Sequence, residues 1–309
     1  MKTKVKRYPL NQCALYCCSS KRKLAKLLNL DDIGTRRIEC LVKYIQFSIP
    51  KKSSEGVREI TAPNNELKKV QRRILSLLQS IERPQWLISG ERGKCYIDNG
   101  LAHIKSNYLL AADIKSFYDN CQREYVYRFF SQRMKTTPDI AKILTDLVTY
   151  GKGIPTGCPT SQIIAYYAYE NMFCEIARIA QYYGCIFTLY VDDMTFSSQI
   201  AFDPRKLTRA IDITLRRYGH RLSRRKVKYY AIDDAKPVTG TIITKNHRLV
   251  PPNALQKRIY SGFQAHKNAP NSQASVYEQA ALKGRIQAAR NIDSSIFPEI
   301  RRLIVTKTE

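Results

Sequence analysis

Three aspartates have the type and spacing to do chemistry. Asp113 follows the apolar run "YLLAA", at the end of a predicted central strand. Asp192 and Asp193 are neighbours, set between "FTLYV" and "MTFSS", two β-prone stretches. If the Asp113 strand lies beside the hairpin that these stretches form, three carboxylates meet at one sheet edge. Carboxylates gathered so closely repel one another and lose hydration. Divalent cations remove that penalty, and Mg²⁺ takes oxygen ligands while leaving room for water and phosphate. Two such ions about 4 Å apart can stabilise both the attacking and the leaving oxygen of an in-line phosphoryl displacement. On the dipeptide alone, Asp192–Asp193 reads more simply as a turn. The strand-terminal Asp113 and a net charge of +26 favour the metal site.

The elements that must position these residues can be traced along the chain. Two residues between β-prone stretches is the spacing of a tight hairpin, with Asp192 and Asp193 as its connection. "SSKRKLAKLLNL" predicts a helix behind a serine cap within a helical first segment, residues 1–45. "KYIQFSIPKKSSEGVREITAP" predicts strand, turn, strand. "NELKKVQRRILSLLQSI" is an amphipathic helix with Leu67, Val70, Ile74, Leu77 and Leu78 as its apolar stripe and Lys68, Lys69, Arg72 and Arg73 outside it. Further helices are predicted at "PDIAKILTDLVTYG", "TSQIIAYYAYENMFCEIARIAQYYG" and "DPRKLTRAIDITLRRYG". "KVKYYAI" and "PVTGTIIT" follow as short strands, and the tail from Pro251 is helical and basic. The class expected is α+β, with a sheet backed by helices.

Fifty-two Lys and Arg against 26 Asp and Glu repel one another unless a polyanion neutralises them. Nucleic acid is the first candidate and an anionic membrane the second. No apolar run approaches the roughly 20 residues of a membrane span. The basic start lacks the long apolar core of a signal peptide. Nine scattered cysteines then read as reduced thiols in a cytoplasmic protein. The cluster Cys13, Cys17 and Cys18 lacks a second CxxC or a His pair, so a buried helix face is expected there and not a metal site.

These stretches together resemble a reverse transcriptase. "YVDD" at Tyr190–Asp193 is similar to the Y-x-D-D box, and "DIKSFYD" at Asp113–Asp119 to the first palm aspartate motif. "GIPTGCPTSQIIA" at Gly153–Ala165 resembles the stretch that contacts template and incoming nucleotide, and "REITAPNNELKKVQRRI" at Arg58–Ile74 resembles the fingers motif of bacterial enzymes. "NGLAH" (Asn99–His103) and "VTG" (Val238–Gly240) resemble the N-A-x-x-H and V-T-G motifs of the retron type. Gly100 stands where that motif has Ala, Val191 where Ala is more common, and Thr156 where Gln is common.

The resemblance implies RNA-templated DNA synthesis on a right-hand polymerase fold. Fingers and palm, an antiparallel sheet backed by helices, would occupy 46–250 and a helical thumb 251–309. Asp113, Asp192 and the Ile114 carbonyl would hold two Mg²⁺ ions, for which Mn²⁺ could substitute, and Asp193 would complete the set. Tyr118 would be the steric gate that excludes a 2′-OH, or else a core aromatic. Arg58, with Lys68, Arg72 or Arg73, would reach the triphosphate. Pro155 and Gly157 would lie against the nucleotide, Gly157 by allowing close backbone approach, and Ser161 would cap the next helix or touch template. Lys226 would protonate departing pyrophosphate. Tyr190 and Val191 would lie at the primer terminus, and Val238, Thr239 and Gly240 would form a primer-holding turn. Asn99 and His103 would either contact RNA or serve structure.

Retron enzymes act on dNTPs and on their own structured noncoding RNA (msr-msd type), starting from an internal 2′-OH to make branched msDNA. By resemblance, the partners would include that RNA, its msDNA, a host ribonuclease H that removes template, and an effector protein in antiphage defence, with no membrane. Two alternatives are another bacterial reverse transcriptase, group II intron-like or abortive-infection type, and a nucleic-acid-binding scaffold that restrains an effector.

Overall fold

The computed structural model describes residues 7–30, 39–50, 57–268 and 273–305. In chain order, α1 (Lys21–Leu27) is followed by the strands β1 (Tyr44–Pro50) and β2 (Val57–Pro63) and by α2 (Asn65–Leu78) and α3 (Tyr96–Ala102). Next come β3 (Tyr108–Asp113), α4 (Phe117–Asn120), α5 (Arg123–Arg128), α6 (Pro138–Val148), α7 (Ser161–Ala168) and α8 (Glu170–Tyr182). The hairpin β4 (Ile186–Tyr190) and β5 (Asp193–Ser198) leads to α9 (Pro204–Arg217). The strands β6 (Lys228–Tyr230), β7 (Lys236–Val238), β8 (Thr241–Ile243) and β9 (Leu249–Val250) precede α10 (Asn253–Asn268), α11 (Gln273–Ile292) and α12 (Pro298–Val305). The mixture of helices with antiparallel sheets is the α+β class expected. No described helix is long and apolar enough to cross a membrane.

The chain divides into two compact units that interleave in sequence. The first comprises Met1–Gly93, Ile114–Ile179 and Lys206–Ser223. In it, β1 and β2 pair antiparallel from Tyr44↔Pro63 to Pro50↔Val57, while the turn expected between them, 51–56, lies outside the described residues. α2 begins where the Asn64 side chain accepts the Leu67 N–H at 2.9 Å. It buries the expected stripe Leu67, Val70, Ile74, Leu77 and Leu78, together with Gln71, whose amide donates to the Leu147 carbonyl of α6 at 2.9 Å. The helix at Lys21–Leu27 starts after Ser20 as expected, with the Ser20 hydroxyl accepting from the Lys23 N–H. The helix expected at Cys13–Cys18 is absent. Cys17 sits at φ +52°, which ends helical propagation, and the stretch folds as turns with Cys13 and Cys18 buried.

The second unit comprises Lys94–Asp113, Ala180–Arg205 and Arg224–Glu309. It holds a four-stranded antiparallel sheet of order β4-β5-β3-β6 and a three-stranded sheet of order β7-β8-β9. The apolar run of β3 is central in the first sheet, with Leu109 and Leu110 buried. Phe187 and Phe196 face each other across the β4–β5 hairpin with ring centroids 5.0 Å apart, a cross-strand pair that fixes its register. Leu109, Val238, Ile243 and Leu249 form one buried cluster, against which Ile97 and Ile104 pack. The basic tail forms a separate core of Ile259, Leu282, Ile286, Ala289, Ile300 and Ile304 between its three helices.

Candidate active site

Strand register alone brings the aspartates together. Asp113, the last residue of β3, lies directly across from Asp193, the first residue of β5. Tyr190 and Asp193 close the hairpin, so its two-residue turn is Val191–Asp192, one position earlier than the expected Asp192–Asp193. The shift has a physical reason. A two-residue hairpin needs a left-handed backbone in its turn, and Val191 supplies it at φ +62°. For a β-branched residue this conformation costs of order 1–3 kcal/mol. The neighbouring strands hold it in place. Asp192 stands on the turn and Asp193 within the ladder. One carboxylate oxygen from each of Asp113, Asp192 and Asp193 lies within 4.8 Å of the others.

Like charges opposite each other in a sheet are destabilising. Burial, and then the charges of Asp192 and Asp113, push the Asp193 carboxyl up to about 6. Lys226 offsets part of this. Its ammonium donates to Asp113 Oδ2 at 2.7 Å, and its pKa is raised chiefly by that bond. Three clustered oxygen donors, one of them held against ionisation by burial and by its neighbours, fit a hard divalent cation such as Mg²⁺.

The second unit also gathers the two retron-like motifs. Asn99 Nδ2 donates to Thr239 Oγ1 at 2.9 Å, joining α3 to the turn after β7. That turn has Thr239 at φ +35° and Gly240 at φ +81°. Gly100, in the place of the motif's Ala, has no room for a side chain. A Cβ there would lie 2.5 Å from Thr241 Oγ1 and 2.7 Å from Leu249 Cδ1. His103 is fully buried, with Nδ1 bonded to Ser197 Oγ at 2.6 Å and Nε2 to Thr188 Oγ1 at 2.7 Å. Burial lowers its pKa to about 3. Both ring nitrogens are engaged by the β4–β5 hairpin, so of its two readings the structural one fits. Sequence reasoning missed these hydroxyl partners. Their signal was present in Thr188, Thr195 and Ser197, polar residues set into otherwise apolar strands.

The remaining candidates lie in the first unit. Ile114 is buried and bridges to Leu222. Tyr118 is half-buried on α4, its ring 5.5 Å from that of Phe117, which is the buried aromatic of the pair. The loop before α7 docks along β2. Thr156 Oγ1 donates to the Glu59 carbonyl at 3.3 Å and the Gly157 N–H to the Thr61 carbonyl at 3.2 Å. A Cβ at Gly157 would lie 2.6 Å from that carbonyl, so the close approach it permits here is to β2. Ser161 is the first residue of α7 and not its cap, a place taken by Thr160. Its hydroxyl donates back to the carbonyl of Pro155, which is itself buried. Arg72 is exposed on α2, Lys68 is half-buried there, and Arg73 donates to the Leu27 carbonyl at 2.8 Å. The side chain of Arg58, on β2, lies outside the described residues.

The family model described as reverse transcriptase (RNA-dependent DNA polymerase) matches residues 49–265. The chain is 27% identical over 187 residues to the retron Se72 reverse transcriptase of Salmonella heidelberg (strain 579083-10), covering 59% of this chain and 49% of that protein. It is 28% identical over 159 residues to the retron Ec86 reverse transcriptase of Escherichia coli, covering 51% and 49%. The retron Ec83 reverse transcriptase of Escherichia coli matches at 24% over 277 residues, covering 84% and 86%. The chain thus spans about half the length of the first two of these relatives. The chain belongs to the reverse transcriptase (RNA-dependent DNA polymerase) family, and its resemblance within that family is to the retron-type enzymes.

Proposed function

We propose that the protein is an RNA-directed DNA polymerase of the retron type, which binds a structured noncoding RNA and extends DNA from an internal 2′-OH to give branched msDNA. The observation that carries this reading is the cross-strand pairing of Asp113 with Asp193, beside Asp192 on the hairpin turn. Fingers and palm would occupy 46–250 and the thumb 251–309.

Asp113 and Asp192, with the Ile114 carbonyl, would hold Mg²⁺ or Mn²⁺, and Asp193 would complete the set. When bound, the metal ions lower the pKa of the attacking hydroxyl and screen charge on the phosphates. The remaining chemistry belongs to side chains. Lys226, which donates to Asp113, would give a proton to departing pyrophosphate. Tyr118 would select deoxynucleotides by crowding a 2′-OH. Arg58, Lys68 and Arg72, with Pro155, Gly157 and Ser161, would bind the triphosphate and template. Tyr190 and Val191 would meet the primer terminus, and the turn Val238–Gly240, tied to Asn99, would hold the primer. The partners would be dNTPs, the cognate RNA and its msDNA, a ribonuclease H, and an effector protein in cytoplasmic antiphage defence.

The test is extension of the RNA that copurifies with the protein, followed by debranching enzyme. Cleavage of a 2′–5′ linkage supports the retron mode. A linear product, indifferent to debranching, overturns it in favour of another kind of reverse transcriptase.

A further inference from the structure

Within the first unit, two adjoining clefts of about 240 and 590 Å³ share Arg123 and Gly151. Val42, Lys142, Asp146, Thr149 and Tyr150 line one, and Gln122, Glu124, Tyr127 and Lys152 the other. The trough is a built surface. The Arg123 N–H donates to the Lys152 carbonyl at 2.8 Å, and Tyr150 and Gly153 exchange backbone hydrogen bonds at 3.0 and 3.2 Å. These bonds hold a tight turn whose tip is Gly151, at φ +56°, and Lys152, both exposed. Tyr150 is 44% exposed, and its ring is braced by that of Tyr44, with centroids 4.9 Å apart.

The charge on this trough is uneven. Asp146 is already held by both Arg123 and Lys142, and Glu124 by Arg128. Both carboxylates are thus paired, Asp146 with two cations at once, and the exposed Lys152 at the turn stands outside these pairs, so the lining carries a positive excess. Cations interleaved with accessible tyrosine rings suit one ligand chemistry, an unpaired nucleotide strand. Its phosphates meet the cations and its bases stack on the rings, which a duplex cannot offer. A volume of this size accommodates one or two nucleotides.

We propose that the trough around Arg123, Lys152, Tyr127 and Tyr150 binds single-stranded nucleic acid at a site none of whose residues belongs to the polymerase machinery assigned above. The proposal goes beyond the polymerase reading and does not depend on it. The turn presents Lys152 to a phosphate, and Tyr150 offers the stacking face.

The test uses the full chain and a fluorescein-labelled oligouridylate. Ultraviolet cross-linking followed by peptide mapping is expected to place adducts on Tyr150 or Tyr127. Lys152→Glu and Tyr150→Ala are each expected to remove those adducts. Lys152→Glu is also expected to reduce the slope of log affinity against log salt by about 0.7 to 1. Lys23→Glu makes the same charge change on exposed α1 and serves as the control. The proposal is overturned if Lys23→Glu weakens binding as much as Lys152→Glu, if no adduct maps to Tyr150 or Tyr127, or if polyglutamate and not unlabelled oligouridylate displaces the probe. Circular dichroism of each variant shows whether it is folded, and cross-linking of the wild-type chain decides the question should a variant fail to fold.

Discussion

At Asp193 the chain sets a carboxylate opposite a second one and next to a third, and the consequences are measurable at that residue. Burial, and then those two charges, push its carboxyl up to about 6, which favours the neutral form below that pH and the charged form above it. A raised carboxyl pKa favours the protonated folded protein, and the metal-free chain should lose stability as pH rises from about 4 to 6. Metal needs the ionised form. Mn²⁺ affinity, followed by titration calorimetry, should therefore fall by up to about tenfold per pH unit below 6, and Asp193→Asn should flatten that dependence. Lys226 competes with metal for Asp113, since its ammonium lies 2.7 Å from Oδ2. Lys226→Ala should raise Mn²⁺ affinity while lowering the rate of nucleotide addition about 100-fold or more, the usual loss on removing a general acid. A drop in Mn²⁺ affinity would show instead that Lys226 holds the carboxylates in place for metal.

Among the elements, α3 depends on contacts with strands far from it in sequence. Gly100→Ala restores the more usual motif residue, yet the added methyl meets Thr241 and Leu249 at less than contact distance. Overpacking of this kind costs about 1–3 kcal/mol, readable as a lower urea midpoint. His103 titrates near 3 when folded and near 6.5 when unfolded, so its stabilisation is complete above pH 6.5 and declines below it. The loss should steepen toward about 1.4 kcal/mol per pH unit below about pH 5.5, and His103→Gln should remove that share of the slope. The α2 stripe, the strand before Asp113 and the hairpin were legible in the sequence, because apolar periodicity and turn spacing are local signals. The one-residue position of the hairpin turn was not. It depends on which pair closes the ladder, and Val191 in a left-handed conformation gives no sign of it. Nor could local pattern show that Asn99 bonds Thr239, 140 residues away, or that Gly157 is required by β2. The cysteine cluster misled for the opposite reason: its apolar spacing suits a helix, and a single positive φ at Cys17 ends it.

For the whole molecule, a net charge of +26 should make RNA affinity fall steeply with salt, at about 0.7 log units per log unit of salt for each single-strand phosphate neutralised. Filter binding over a salt series checks this, and a flat response would mean that the charge serves something other than nucleic acid. The basic tail helices carry their own apolar core, and phosphate contacts of the kind proposed for a thumb would fall outside it. The proposed function stands on the three carboxylates as the metal centre of an RNA-directed DNA polymerase. Its most direct measurement is Mg²⁺-dependent incorporation of dNTPs on an RNA template by the wild type and by the Asp192→Asn, Asp193→Asn double variant, with circular dichroism confirming that both are folded. Synthesis by the wild type should stop when metal is chelated, and the folded variant should show none above background. Undiminished synthesis by the variant would rule out Asp192 and Asp193 as that metal centre.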